Sequence, residues 1–355
     1  MSLMKNTRMI PSALGAMGLT LTRSLMGVLP AEPTHCPPIV LMHGFAGFRE
    51  ISVFGIEIME YWNGIPQLLR QMGYEVFVPT VSPLNTPQER AEQWYDHLET
   101  YRQQHGNDEF FLIAHSQGAI DARILLCPDT TPKHTSLGAL QGLAYGDHVK
   151  ALITVGGPHF GNVLVDKQAE GDPIAKKFMT DLFNLASLIT YGLTGEPENA
   201  NKAIASLGQN YMINEFNPYC VEDPNVDYYC VAGNPKSEKL VSPILRDGFK
   251  ELNDIPVADG GGPSDGFVTV PSALYGNTPA NAQPGYSTPF PANPNWKILG
   301  STLLADHVVE VGLPLDYPPN KYYDHLSCFA GLAQFLNPDY TATMELKDSG
   351  RWLRQ

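Results

Sequence analysis

Phe110-Phe111-Leu112-Ile113-Ala114-His115-Ser116-Gln117-Gly118, continued by Ala119 to Leu126, is the stretch on which the fold turns. Five apolar residues closed by a polar turn read as a strand covered on both faces. Gly118 to Leu126 reads as a helix. Ser116 stands between them, at the sharp strand-to-helix elbow written Gly-x-Ser-x-Gly, with Ala114 in place of the first glycine. Strand and helix approach closely there, so the neighbours must be small. Alanine adds one methyl, and a larger residue should not fit. Such a turn exposes the serine hydroxyl above the C-terminal edge of a sheet, where the helix dipole favours negative charge.

Outward from the elbow, strands alternate with helical segments. Ile39-Val40-Leu41-Met42 is an apolar strand ending at His43-Gly44, and Gln67 to Met72 is helical up to Gly73. Glu75-Val76-Phe77-Val78 is the next strand. Thr86-Pro87-Gln88-Glu89 opens a helix that runs to about His105: Thr86 caps, Pro87 suits the first turn and Glu89 completes a capping box. Val149 to Val155 is a further strand, closed by Gly156-Gly157-Pro158. This order specifies a mostly parallel sheet with helices on both faces. Residues 260–295, rich in Gly, Pro, Ser and Asn, are expected to be loops. Phe178, Leu182, Leu185 and Ile189 share one face of a helix over Pro173 to Tyr191, and Met179 and Phe183 widen it. That stripe is either core or the apolar face of a flap that meets a fatty substrate.

Composition narrows the class. The chain has 355 residues, enough for a large core without metals or disulfides. Its 23 basic and 37 acidic residues leave a net charge of −14, which argues against a nucleic-acid partner. Charged residues at 17% and hydrophobic ones at 43% exclude a disordered chain. Five cysteines are too few for a disulfide framework; Cys220 and Cys230 either bridge or are two buried thiols. No apolar run reaches the ~18 residues of a spanning helix. Lys5 and Arg8 before the apolar run Met9 to Thr22 have the outline of a signal peptide, although Arg23 follows at once and no Ala-x-Ala site is present. The alternative is a segment packed on the domain.

A serine elbow needs a second oxyanion donor from the loop after an earlier strand. His43-Gly44-Phe45-Ala46-Gly47 is that loop, and the backbone N–H groups of Phe45 and Gln117 are the expected donors. The chain order of such sites is serine, acid, histidine, so His43 is read as structural. For the acid, Asp265 in Ser264-Asp265-Gly266-Phe267-Val268 sits on a turn after three glycines, a pattern shared with ordinary Asp-Gly turns. For the base, His307 of Asp306-His307 projects from a loop, whereas His325 of Asp324-His325 lies in a terminal helix and is read as packing.

Together, His43-Gly44-Phe45-Ala46-Gly47-Phe48, Ala114-His115-Ser116-Gln117-Gly118, Ser264-Asp265-Gly266-Phe267-Val268 and Asp306-His307 resemble the bacterial true lipases (family I), in the family's order and over roughly Pro38 to Leu336. That family includes the Proteus and Pseudomonas/Burkholderia lipases; Ile39 to Ile51 is most similar to the Proteus type, and the elbow and the course from Asp265 through Asp306-His307 to the C-terminal helix are similar to the thermoalkalophilic Bacillus type. The resemblance implies an α/β-hydrolase fold, acylglycerol ester hydrolysis and a triad of Ser116, Asp265 and His307. It also implies a helical lid inserted at about 162–210, with Phe178, Met179, Leu182 and Phe183 facing substrate. The implied layout is an N-terminal extension over 1–37, one domain over 38–340 and a tail over 341–355.

The departures concern metals. The family's structural calcium uses an acidic residue two positions after the histidine, where this chain has Val309, and an upstream Asp-Pro, where it has Ser242-Pro243. Calcium needs six or more oxygens, so that site is not expected, although Glu310 and Asp316 are available for another. The zinc insertion of the Bacillus type is absent between Tyr74 and Phe110. No metal and no cofactor are expected. The leading reading is a triacylglycerol lipase at a lipid–water interface, exported as the family largely is, with a cytoplasmic or unconventionally exported protein as the alternative. The alternatives are a short-chain carboxylesterase, phospholipase or thioesterase with the same triad, and a non-catalytic binding protein on the same fold.

Overall fold

The computed structural model describes residues 36–47, 50–53, 56–190, 197–279, 282, 286–313, 315 and 320–338. The N-terminal segment with its two readings, the tail 341–355, Asp316 and the side chains of Leu182 and Phe183 lie outside the described part. Among the described residues, no helix is long and apolar enough to cross a membrane.

Six strands form the central sheet: β1 (Ile39–Met42), β2 (Val76–Phe77), β3 (Phe110–His115), β4 (Val149–Val155), β5 (Asp227–Val231) and β6 (Trp296–Ile298). Their order is β2-β1-β3-β4-β5-β6, and every pairing is parallel. The alternation of the pleat sorts side chains to two cores. Val40, Met42, Leu112 and Ala114 face a layer holding Trp94, Ile120 and Leu125. Ile39, Leu41 and Ile113 face the other, with Ile65, Leu69 and Phe329. Because both faces are covered, these strands are apolar at every position rather than alternating.

The helix Pro87–His105 begins as its sequence dictates: the Thr86 hydroxyl accepts from Glu89 N–H (3.4 Å), and the Glu89 carboxylate accepts from Thr86 N–H (3.3 Å). It ends at Gly106, whose φ of 68° suits glycine. Its buried residues Pro87, Arg90, Ala91, Trp94 and Leu98 recur every three to four positions, the spacing of one helical face.

Strands β5 and β6, carried by Asp227-Tyr228-Tyr229-Cys230-Val231 and Trp296-Lys297-Ile298, extend the sheet beyond β4. Among its described residues, the Gly- and Pro-rich stretch is loops around one short helix, Val270–Ala273, and it leads into β6. Cys220 and Cys230 do not bridge; all five cysteines are free. Cys230 lies on β5 with its thiol toward the Lys297 carbonyl of β6, and Cys220 points to the Arg123 carbonyl.

The strand order reverses between β1 and β3, which are neighbours in the sheet but separated in sequence by β2. In open parallel sheets, ligands bind at the carboxyl ends of the strands beside such a switch point. The His43–Gly47 loop leaves β1 there, and Ser116 leaves β3 beside it.

Candidate active site

Ser116 has φ 57° and ψ −130°, a conformation that L-residues rarely adopt. Holding it costs on the order of 1–3 kcal/mol, so the surroundings must enforce it. They do so by close approach. A Cβ on Gly118 would lie 2.5 Å from the Met42 carbonyl oxygen and 2.8 Å from that of His43. A Cβ on Gly44 would lie 2.6 Å from Ser116 Cβ. The Ser116 N–H donates to the Val155 carbonyl (3.1 Å), tying the elbow to the end of β4. Both contacts at Gly118 are with backbone and cannot swing away. Gly118→Ala is therefore expected to destabilise the fold by about 1–3 kcal/mol or more, read as a lowered urea midpoint with an unchanged slope.

The structure brings Ser116, His307 and Asp265 into one line. His307 Nε2 lies 2.8 Å from Ser116 Oγ, and His307 Nδ1 lies 2.8 Å from Asp265 Oδ2. With Asp265 as carboxylate, Nδ1–H donates to it and Nε2 accepts from the serine hydroxyl. The other carboxylate oxygen, Oδ1, accepts from the N–H groups of Phe267 (2.8 Å) and Val268 (2.6 Å). The two loops are also joined by backbone, His307 N–H donating to the Asp265 carbonyl (2.9 Å). Asp306 caps the turn after it, accepting from Val308 and Val309 N–H on Oδ1 and from Ser242 N–H on Oδ2. His325 lies elsewhere: it opens the helix His325–Leu336, and its Nε2 is 2.8 Å from the Asn63 carbonyl.

Gln117 is the first residue of the helix Gln117–Leu126, so its N–H has no partner within the helix. Phe45 follows Gly44 on a loop braced from beneath. The buried Arg90 guanidinium donates to the carbonyls of His43 (2.6 Å) and Ser82 (2.8 Å) and pairs with Asp121 (2.8 Å). The His43 ring links the Gly44 carbonyl (3.0 Å) to Val81 N–H (3.1 Å). Burial first, and the Arg90 charge second, push His43 down to about 3, so it is a neutral strut. Among the described residues neither the Phe45 nor the Gln117 N–H has a backbone acceptor.

Phe178 and Met179, expected on a substrate-facing lid, are packed in the core at 1% and 3% exposure. The reason is local. Gly248 on the helix Arg246–Asp254 leaves room for the Phe178 ring, and a Cβ there would lie 2.3 Å from it. Phe178 also meets Phe267 (centroids 6.4 Å), which in turn meets His307 (5.3 Å). In this conformation the start of the helix Pro173–Thr190 thus packs on the core, one ring removed from the histidine. Ser116 is 4% exposed as a residue, as its packing against Gly44 and the end of β4 requires.

Two positions at which the family's calcium draws on oxygen ligands carry Val309 and Ser242 here. Val309 is a buried apolar residue, and both oxygens of the neighbouring Asp306 are occupied by backbone N–H groups. Glu310, reached by reading only as a metal ligand, is instead fully buried behind the histidine, with Oε2 3.2 Å from His115 Nε2 and 3.8 Å from His307 Nδ1. A lone carboxylate among Val308, Val309 and Val311 was the available signal.

No family model matches the chain. A triacylglycerol lipase of Pseudomonas fragi is 33% identical over 132 residues, 37% of this chain and 37% of that protein. One of Vibrio cholerae is 35% identical over 122 residues, 34% of this chain and 38% of that protein. The matched stretch thus spans little more than a third of each relative. Among solved structures, lipase 1 of Pelosinus fermentans superposes with TM-score 0.57 at 19% identity, covering 84% of this chain and 98% of that one. The Staphylococcus hyicus lipase gives 0.57 at 16% identity, covering 88% and 98%. The parallel sheet, the elbow at its switch point and these superpositions agree: the chain has the α/β-hydrolase fold, and in sequence it resembles the bacterial true lipases.

Proposed function

We propose that the chain is a serine carboxylic-ester hydrolase acting on acylglycerols through an acyl-enzyme on Ser116. The observation that carries this reading is the unbroken hydrogen-bonded line from Ser116 Oγ through His307 to Asp265, at 2.8 Å and 2.8 Å, with the serine in the strained elbow conformation. In the first step Ser116 Oγ attacks the ester carbonyl while His307 Nε2 takes its proton. Asp265 holds the Nδ1–H tautomer and stabilises the imidazolium. The Phe45 and Gln117 amides receive the oxyanion, each donor supplying about 2.7–4 kcal/mol in the transition state. His307 then protonates the leaving alcohol. Water, deprotonated by the same nitrogen, releases the fatty acid and regenerates Ser116. No cofactor takes part in these steps.

A short-chain carboxylesterase is the second reading. Phe178 and Met179 favour it, because while buried in the core, as here, they offer no apolar face to an acyl chain. A metagenomic carboxyl esterase also superposes with TM-score 0.57 at 16% identity. The test is a p-nitrophenyl ester series from acetate to palmitate together with emulsified triglyceride. Hydrolysis extending to palmitate and triglyceride is the result expected of a lipase. Activity confined to the shortest esters keeps the Ser116 chemistry and assigns an esterase.

A further inference from the structure

Behind the triad, three buried side chains join the site's separate loops. Gly44 N–H donates to Tyr61 Oη (2.9 Å). Tyr61 Oη lies 2.6 Å from His115 Nδ1, and His115 Nε2 lies 3.2 Å from Glu310 Oε2. One polarity satisfies the whole line: Gly44 N–H to Tyr61, Tyr61 O–H to His115 Nδ1, and His115 Nε2–H to Glu310. Gly44 immediately precedes Phe45, His115 immediately precedes Ser116, and Glu310 lies one 3-10 turn past His307. The His115 ring also packs on the His307 ring, with centroids 4.7 Å apart. We propose that Tyr61, His115 and Glu310 form a positioning relay that fixes the Phe45-bearing loop against the His307-bearing turn.

His115, His307 and Glu310 place donor atoms within 4.8 Å of one another, as a metal site would. Hydrogen bonds account for that cluster without an ion. Both nitrogens of His307 serve Ser116 and Asp265, and both of His115 serve Tyr61 and Glu310. An ionised Glu310 would set a second full charge 3.8 Å from His307 Nδ1, beside Asp265 and Asp306. Burial first, and those two carboxylates second, hold the Glu310 carboxyl well above the usual carboxylate range. Burial likewise keeps His115 neutral. Tyr61 then does for the oxyanion loop what second-layer partners do for metal ligands: it fixes the orientation of a group that touches substrate.

The test rests on the proposed ester hydrolysis and uses the full chain. Tyr61→Phe removes one hydroxyl and little volume. It is expected to lower kcat about 10- to 100-fold on a soluble ester with KM little changed, the signature of a displaced donor. The rate of fluorophosphonate labelling should fall in parallel. Glu310→Ala should lose kcat, and Glu310→Gln, which keeps an uncharged acceptor for His115, should recover most of that loss. The infrared difference between wild type and Glu310→Gln at pH 7 should contain the carbonyl band of a protonated carboxylic acid. A Tyr61→Phe protein with wild-type kcat overturns the relay. So does a Gln variant as inactive as the Ala variant. If wild type itself neither hydrolyses esters nor takes the fluorophosphonate on Ser116, the functional reading fails instead, and the infrared band still decides the state of Glu310.

Discussion

Ser116→Ala is expected to retain less than about a thousandth of the wild-type kcat on a soluble p-nitrophenyl ester, because loss of the nucleophile removes nearly all the contribution of a triad that acts as a unit. Loss of the fold does not explain such a result. Alanine carries the same Cβ as serine, so the backbone at φ 57° is no more strained than before. The Gly44 and Gly118 contacts that enforce that conformation involve Ser116 Cβ and backbone oxygens, none of which changes. What disappears is one hydroxyl and its 2.8 Å hydrogen bond to His307 Nε2. A melting temperature within a few degrees of wild type should therefore accompany the inactive protein. Fluorophosphonate labelling should be lost in the same variant. Equal rates in wild type and Ser116→Ala would remove the serine from the chemistry and with it the acyl-enzyme reading.

The parts of the molecule legible in the sequence are those fixed by contacts near in the chain. Thr86, Pro87 and Glu89 cap a helix by bonds three residues apart, so four letters suffice to start it. The elbow is legible for the same reason, since its strand, serine and helix are consecutive. Asp265 and His307 are different. Taken alone, Asp265 is one Asp-Gly turn among many, and what distinguishes it is the His307 nitrogen 42 positions away. The relay lies further out of reach. Tyr61, His115 and Glu310 are separated by 54 and 195 positions, and no periodicity links them. The apolar stripe of Pro173–Thr190 shows the converse limit. Its spacing establishes a buried face, but Phe178 is placed against Gly248 and Phe267 by tertiary packing. Strands β5 and β6 escape because tyrosines and a lysine break the apolar run that marked the other strands.

Asp265→Asn should cost about 10⁴-fold in kcat while leaving the fold intact, because the amide forces the wrong tautomer on His307. The orientation of the new side chain is dictated by the protein. Two backbone donors, Phe267 N–H and Val268 N–H, converge on Oδ1. An asparagine must give its carbonyl oxygen to them, since its NH₂ group there would leave both unpaired at a buried site. The NH₂ group then faces His307 Nδ1, which must accept. The imidazole proton moves to Nε2 and points at Ser116 Oγ, so the nitrogen that should take the serine proton already carries one. Substrate still binds, and kcat should fall far more than KM rises. Glu310 is the residue that decides how complete the loss is. Its Oε2 stands 3.8 Å from Nδ1, close enough to hold the catalytic tautomer if it were ionised. Removing the Asp265 charge relieves one of the two carboxylates that raise the Glu310 carboxyl, but burial, the larger cause, remains. Full loss in Asp265→Asn, unchanged on adding Glu310→Gln, is the outcome expected of an uncharged Glu310. Retention of a tenth or more of the activity, abolished by the second substitution, would show Glu310 acting as the carboxylate in place of Asp265.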